Sequence, residues 1–554
     1  MGPAKGVSGT RRPPAGEILD DPDAADRRLR GIRARHGLAE GFPRFVWERL
    51  PEVPDPDRAV RNLESLAERT APPADPEHLV RLLHLVGASQ FLADVLVKNP
   101  EFVAWLGGEE SLEAPRSRED LAQELAQFHF RAGTRDDRAT LRRFKDREYL
   151  RIALRDYLQV AEVAETTDEL SDLADVLLEK ALTLAEQPLL RRFGRAQSFD
   201  SGGRLGPAGF AVIGLGKLGG RELNYSSDVD LLFLFSEEGE TAGETGRPGS
   251  QIPNREWFRR LAEGLTERIG GADPGGRVFR IDLELRPGGR DGELVQSLRS
   301  ALAYYQVWGR GWERQALLKA RGAAGNGALA AAFLRGVAAI VHDRPGDGAF
   351  AAEAARIHRS VHERMPPGER DRDLKRGPGG IRELELAVQA LQLFHSGGEP
   401  WLREGNTLRA LHRLSDKGLI SGDQHATLAR AYGFLRRVEH RLQLRENRQT
   451  FRLPERAGEL RVLARAMGYR DDGRRREKEW LLADLDRHRG QVRRFFESVL
   501  GEGGQASRVR SATAHLFFDP LPEGALRKEL VARGFSDPEK TLRPVNSIRK
   551  SLLP

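Results

Sequence analysis

Between Ile213 and Phe235 the chain reads IGLGKLGGRELNYSSDVDLLFLF: an apolar strand, a glycine-rich turn, and a second apolar strand that opens on Asp228 and Asp230. Side chains alternate faces along a strand, so acids at i and i+2 project the same way. Val229, Leu231, Phe233 and Phe235 take the opposite face, while Leu232 and Leu234 continue the acid side. The strand is therefore expected to be buried on both faces. Two carboxylates close together in such a place are costly unless a cation or a hydrogen-bond network compensates them.

Gly214, Gly216 and Gly219 also spell G-x-G-x-x-G, with Glu237 roughly where a ribose-binding acid would fall. A dinucleotide-binding unit needs a full crossover helix between its strands, and only about ten residues separate this turn from Ser226 and Ser227. Two of those residues are Gly219 and Gly220. The spacing argues against a dinucleotide site.

The pattern that fits is that of a nucleotidyltransferase: a glycine turn after one strand, D-x-D on the next, and a third acid on a neighbouring strand. Val278 to Arg286 reads VFRIDLELR, with Phe279, Ile281, Leu283 and Leu285 on one face and Arg280, Asp282, Glu284 and Arg286 on the other. Asp282 is the candidate third acid; alone it would equally suit a solvated edge strand. Asp228, Asp230 and Asp282 together can hold Mg²⁺, which would neutralise phosphate oxygens during displacement at phosphorus. Lys217 can reach a phosphate or stand exposed, and the N–H groups of Gly216 to Gly220, Gly219 among them, can form an anion nest. Ser226 and Ser227 can bind phosphate oxygens or cap a short helix. Arg286 suits a phosphate or a pairing with Glu284.

Longer motifs carry a resemblance. GLGKLGGRELNYSSDVDLLFLF, RIDLELRPGGRDGELV, YYQVWGRGWERQALLKARGAAG, DLKRGPGGIRELELAVQALQLFHSG and LRRVEHRLQLRENRQTFRLP follow one another in order. The chain resembles the family of bifunctional glutamine synthetase adenylyltransferase/adenylyl-removing enzymes. The resemblance implies an α+β fold, with a polymerase-beta-like nucleotidyltransferase mixed-sheet domain flanked by largely helical domains. It also implies a Mg²⁺-dependent enzyme that handles an adenine nucleotide (ADP or ATP) and phosphate, with glutamine synthetase and PII-type signal proteins as partners. Such proteins carry two nucleotidyltransferase halves, and this chain holds one such block. Asn224 and Ser226 stand where the second half typically has glycines, so the resemblance points to the adenylyl-removing half. It implies phosphorolytic removal of AMP from a tyrosine of glutamine synthetase. The alternatives are adenylylation from ATP, or a regulatory module that binds PII-type proteins. Glu284 departs from the family's D-L-R-L-R-P wording, which bears on the local phosphate contacts.

The 554 residues suffice for three or four domains at roughly 150 residues each. The expected division is a flexible tail over 1–42, rich in Gly, Pro, Ala, Asp and Arg; a helical region over 43–195; the nucleotidyltransferase domain over 196–345; a helical bundle over 346–505; and a connector over 506–554 toward a missing second half. Within these, Thr166 and Glu169 suggest a capping box, 194–209 a linker, and 237–254 an exposed insertion. Trp257, Leu261, Leu265 and Ile269 predict a helix that covers the sheet. In KRGPGGIRELE, Arg382 and Glu383 lie near the cleft, on a surface for a signal protein, or in a loop and helix start, and Trp312, Glu313, Arg314 and Lys319 can brace the sheet or reach a nucleotide. The chain has no Cys, no signal-like apolar core and no run approaching the roughly 20 apolar residues of a membrane span. A cytoplasmic setting is expected, with no membrane partner. The net charge is +7, but Arg474–Arg476 and Arg493–Arg494 alternate with acids and lack interleaved aromatics, so nucleic acid is not expected as a partner.

Overall fold

The computed structural model describes residues 19–501 except 109–111, 113, 134–135, 200–201, 244–249, 310 and 343–362, together with residues 527 and 542. The expected connector over 506–554 lies almost wholly outside the described residues.

Helical structure begins within the expected tail. Asp21 caps helix α1 (Pro22–His36) by accepting the Ala24 N–H, and Pro22 suits the first helical position. Ala25, Leu29 and Ile32 recur at helical spacing among the arginines and are buried against the helix Pro56–Ala67. This apolar stripe corrects the reading of 1–42 as a tail over its second half. Two long helices follow, α2 (Asp137–Tyr157) and α3 (Val163–Phe193). Thr166 and Glu169 cap nothing, because α3 starts at Val163 and Glu169 is spent on Arg151 and Arg155 of α2.

The strands form two sheets. β1 (Ala196–Phe199), β2 (Leu205–Pro207) and β5 (Glu240–Thr241) make a small antiparallel sheet in the order β2-β1-β5. The expected linker and part of the expected insertion are thus paired strands, with Thr241 buried. The larger sheet runs β6-β4-β3-β8, from β3 (Phe210–Gly214), β4 (Asp228–Phe235), β6 (Arg280–Asp282) and β8 (Arg321–Gly325). β7 (Val295–Ser297) also pairs with β4. Strand β3 is antiparallel to both neighbours, whereas β6 and β7 lie parallel to β4 and share one of its edges: Asp228–Asp230 pair with β6, and Phe233–Phe235 with β7. The mixed sheet with flanking helices is the α+β architecture expected.

Both faces of β4 are covered, as the alternation requires. Val229, Leu231, Phe233 and Phe235 pack with the N-terminal helices and with α5 (Asn254–Gly270), numbered after the short α4 (Gly216–Gly219) of the glycine turn. Trp257, Phe258, Leu261, Leu265 and Ile269 of α5 are buried there. Leu232 and Leu234 face Tyr305 and α6 (Gly327–His342), where Phe333 and Val337 close a second core. The N-terminal helices and the sheet share one core, so position 195 marks no boundary in packing. A third core belongs to the C-terminal helices α7 (Ile381–His395), α8 (Thr407–Asp416), α9 (Gly422–Glu446) and α10 (Glu477–Leu500). Among the described residues no helix is long and apolar enough to cross a membrane.

Candidate active site

The site starts from the register of β4 and β6. The parallel pairing sets Asp228 beside Arg280 and Asp230 beside Asp282, so two acids sit side by side at the same end of the sheet. The glycine turn closes over them. Leu215 N–H donates to the Asp230 carbonyl at 2.9 Å, and Gly216 takes φ +53°. A Cβ on Gly216 would fall 2.2 Å from Asp230 Oδ2, so only glycine lets the turn approach that carboxylate. Burial, then the charges of Asp282 and Asp228, push the Asp230 carboxyl up to about 7, while Lys375 and Lys217 pull the other way.

The other two acids are already engaged. Asp228 pairs through Oδ1 with Arg280 and accepts from Gln449 Nε2 through Oδ2 at 3.2 Å. Arg280 also donates to the Ser226 carbonyl, so one guanidinium ties β6 to the chain entering β4. Asp282 Oδ1 accepts the Glu284 N–H at 2.7 Å. That turn ends β6 at Asp282, which shortens the strand expected over Val278–Arg286. Among the described residues no three His, Cys, Asp or Glu side chains already stand as a metal-binding group. The donors nonetheless fit a divalent cation: hard carboxylate oxygens, two carboxylates in register, and one carboxyl for which burial and acidic neighbours outweigh the nearby lysines.

Other expected contacts fall differently. Gly219 and Gly220 donate their N–H groups to the carbonyls of Leu215 and Gly216, so α4 closes on itself and these two N–H groups are spent. Gly219 is instead required by packing, since a Cβ there would lie 2.0 Å from the Lys319 carbonyl oxygen. Ser226 donates its N–H to Gln443 Oε1 at 3.2 Å and its hydroxyl to the Asn447 carbonyl at 3.3 Å. Ser227 Oγ accepts the Asn224 N–H at 3.3 Å. Both serines brace the loop. Arg286 donates to the carbonyls of Leu283, Arg290 and Gly292. Glu284 pairs with Arg290, not Arg286. Lys319 is buried on Glu222, Glu313 accepts from Tyr304, and Glu383 accepts from Gly379 and Arg493, all bracing contacts.

Lys217 is largely buried rather than exposed, with Nζ 2.9 Å from Glu439 Oε1 on α9. Burial pulls its ammonium down to about 8 against the pull of Glu439. Burial would raise Glu439, but Lys217 and Arg436 outweigh it and hold the carboxyl down to about 2. The helical domain thus supplies much of the site. Arg436 donates to the Glu222 carbonyl and to Asn224 Oδ1, His440 Nε2 lies 3.1 Å from Asn224 Oδ1, and Gln443 and Gln449 reach Ser226 and Asp228. Sequence reasoning missed Arg280, Lys375, Glu439 and Gln449. For Arg280 the signal was its place on the acid face of VFRIDLELR; for the others there was none short of the fold. Outside the acids, Arg277, Arg280, Arg286 and Arg290 line an open cavity of about 430 Å³ together with Asp228 and Asp282. The whole arrangement can bind anions beside paired carboxylates, the requirement for chemistry at a phosphorus centre.

Known proteins resemble the chain over most of its length. Residues 79–336 match the family described as glutamate-ammonia ligase adenylyltransferase, and residues 352–500 match that described as GlnD PII-uridylyltransferase. The chain is 36% identical over 540 residues to the bifunctional glutamine synthetase adenylyltransferase/adenylyl-removing enzyme of Streptomyces coelicolor, covering 95% of this chain and 51% of that protein. The enzyme of the same description from Thioalkalivibrio sulfidiphilus is 35% identical, with 92% and 52% covered. That from Xanthomonas campestris is 35% identical, with 87% and 48% covered. The chain spans about half the length of the curated relatives it matches.

Proposed function

The chain belongs to the glutamate-ammonia ligase adenylyltransferase family, and from that premise we propose that it removes AMP from the adenylylated tyrosine of glutamine synthetase by phosphorolysis. The observation that carries the reading is Asp230 in register with Asp282, with Asp228 two residues away, under a glycine turn that bears Lys217. Inorganic phosphate would attack the AMP phosphorus. The bond from phosphorus to the tyrosine oxygen breaks, ADP leaves, and the tyrosine oxygen gains the proton given up by the attacking phosphate. Both reactants are anions, so the task is positioning and charge compensation. Asp228, Asp230 and Asp282 would hold Mg²⁺, which supplies charge neutralisation at the phosphate oxygens. Lys217 offers N–H donors on the same side, and Arg280 holds the two strands together at the acids.

The removing direction, rather than transfer, is supported by Asn224. Its side-chain oxygen accepts from Arg436 and faces His440, which a glycine at that position could not reproduce. A PII-type signal protein is the regulator this reading expects, and the match of 352–500 to a PII-uridylyltransferase description supports it. The cytoplasm is the compartment that holds such partners.

Adenylylated glutamine synthetase incubated with the chain, Mg²⁺ and phosphate is expected to release ADP. Asp230→Asn is expected to lower that rate at least a hundredfold, on the order of the loss of a group that stabilises the transition state. Pyrophosphate release from ATP with unmodified synthetase, and no ADP from the adenylylated form, would assign the opposite direction.

A further inference from the structure

Lys217 of the glycine turn and Lys375 of the segment ahead of α7 converge on one aromatic ring, Phe451. Lys217 Nζ lies 5.7 Å from the centroid of the Phe451 ring, and Lys375 Nζ lies 4.7 Å from it. Lys217 is anchored by Glu439, Lys319 by Glu222, and Arg436 lies 3.1 Å from the other oxygen of Glu439. Among the described residues Lys375 has no carboxylate within ion-pairing distance.

The placement of Lys375 is rigid. Its own N–H and that of Arg376 donate to Asp373 Oδ1 at 2.9 and 2.7 Å, and Leu374 N–H donates to the Phe451 carbonyl at 2.8 Å. Gly379 takes φ +67°, and a Cβ there would lie 2.0 Å from the Arg489 carbonyl oxygen. The glycines of KRGPGG therefore build a tight turn that sets Lys375 against Phe451. Two ammonium groups on one ring repel each other, and each Lys has three donors to offer. Glu439 occupies one of those on Lys217.

We infer that Lys217 and Lys375 together form a phosphate-binding subsite over Phe451, with half of it supplied by the helical domain. It rests on the reading of the site as one for chemistry at phosphorus. The ligand is a phosphate group, either inorganic phosphate or a phosphate of the adenine nucleotide. Phe451 presents one ring to both ammonium groups, and a phosphate relieves the repulsion between them next to the glycine turn that abuts Asp230.

Calorimetric titration of the full chain with inorganic phosphate and, separately, with ADP, both with Mg²⁺, tests the inference. Lys375→Met removes the ammonium but keeps an unbranched side chain, and is expected to weaken one of the two ligands about tenfold or more. Loss for inorganic phosphate alone assigns the subsite to the attacking group; loss for ADP alone assigns it to the nucleotide. Lys375→Arg is expected to restore binding. Unchanged affinities in Lys375→Met overturn the inference, as does a wild-type chain that binds neither ligand or an Arg variant that fails to restore binding. A chain that binds phosphate through Lys375 but releases no ADP from adenylylated synthetase would defeat the proposed reaction and leave the subsite standing.

Discussion

At the residue scale, Asp230 is the position where burial and chemistry pull hardest against each other. Its carboxyl titrates near 7 in the folded chain against 3.8 as a free side chain. The folded state therefore keeps a proton that the unfolded state has lost, so metal-free stability falls as pH rises from 3.8 to about 7 and levels off above. Asp230→Asn removes that slope. Urea midpoints taken with chelator at pH 5 and pH 8 should show the variant gaining on wild type at the higher pH. Mg²⁺ should narrow the gap by stabilising wild type alone; equal slopes for the two proteins would contradict the assignment. The D-x-D pair and its shared face were legible because strand alternation is local. That Arg280 would hold Asp228 was not, since the partner of a charge on a neighbouring strand depends on register, and register is set by packing.

At the scale of elements, α2 is the post against which the site is set. Lys145 donates to the Val278 carbonyl at 2.9 Å just before β6, and Tyr149 donates to the Tyr225 carbonyl at 3.1 Å just before Ser226. Tyr149→Phe should cost about 1 kcal/mol in urea unfolding, the net worth of a buried hydrogen bond whose acceptor is left unpaired. A cost indistinguishable from zero would show that Tyr225 is held by packing alone. Glu439→Gln on α9 leaves the Lys217 ammonium buried without its counter-charge and should cost roughly 3 kcal/mol by the same measurement. Helix α5 could be read from the sequence because Trp257, Leu261, Leu265 and Ile269 keep a clean apolar stripe. The buried face of α9 could not. Arg436, Glu439, His440, Arg441 and Gln443 are all buried, yet in a sequence such residues describe a solvated surface.

At the scale of the whole molecule, the C-terminal helices share a core of their own apart from Leu444, which is buried with the N-terminal helices, while buried charges such as Glu439 and Arg436 reach the glycine turn and the loop that follows it. A chain of residues 363–501 should therefore fold alone, because the exposed Glu439 and Arg436 would regain water instead of losing partners. Calorimetry on that fragment should give one cooperative transition, and a featureless melt would tie its core to the rest. The apolar stripes of single helices and strands were readable from the sequence, but the joint between the sheet and the C-terminal helices was not, since it is made by pairs such as Lys217 and Glu439, 222 residues apart. That separation also has a consequence in time. At ribosomal speeds of about 5–20 residues per second, Lys217 would wait on the order of 10–40 s for Glu439 to be synthesised. The glycine turn and its acids are made early, and they are clamped only once α9 has been synthesised.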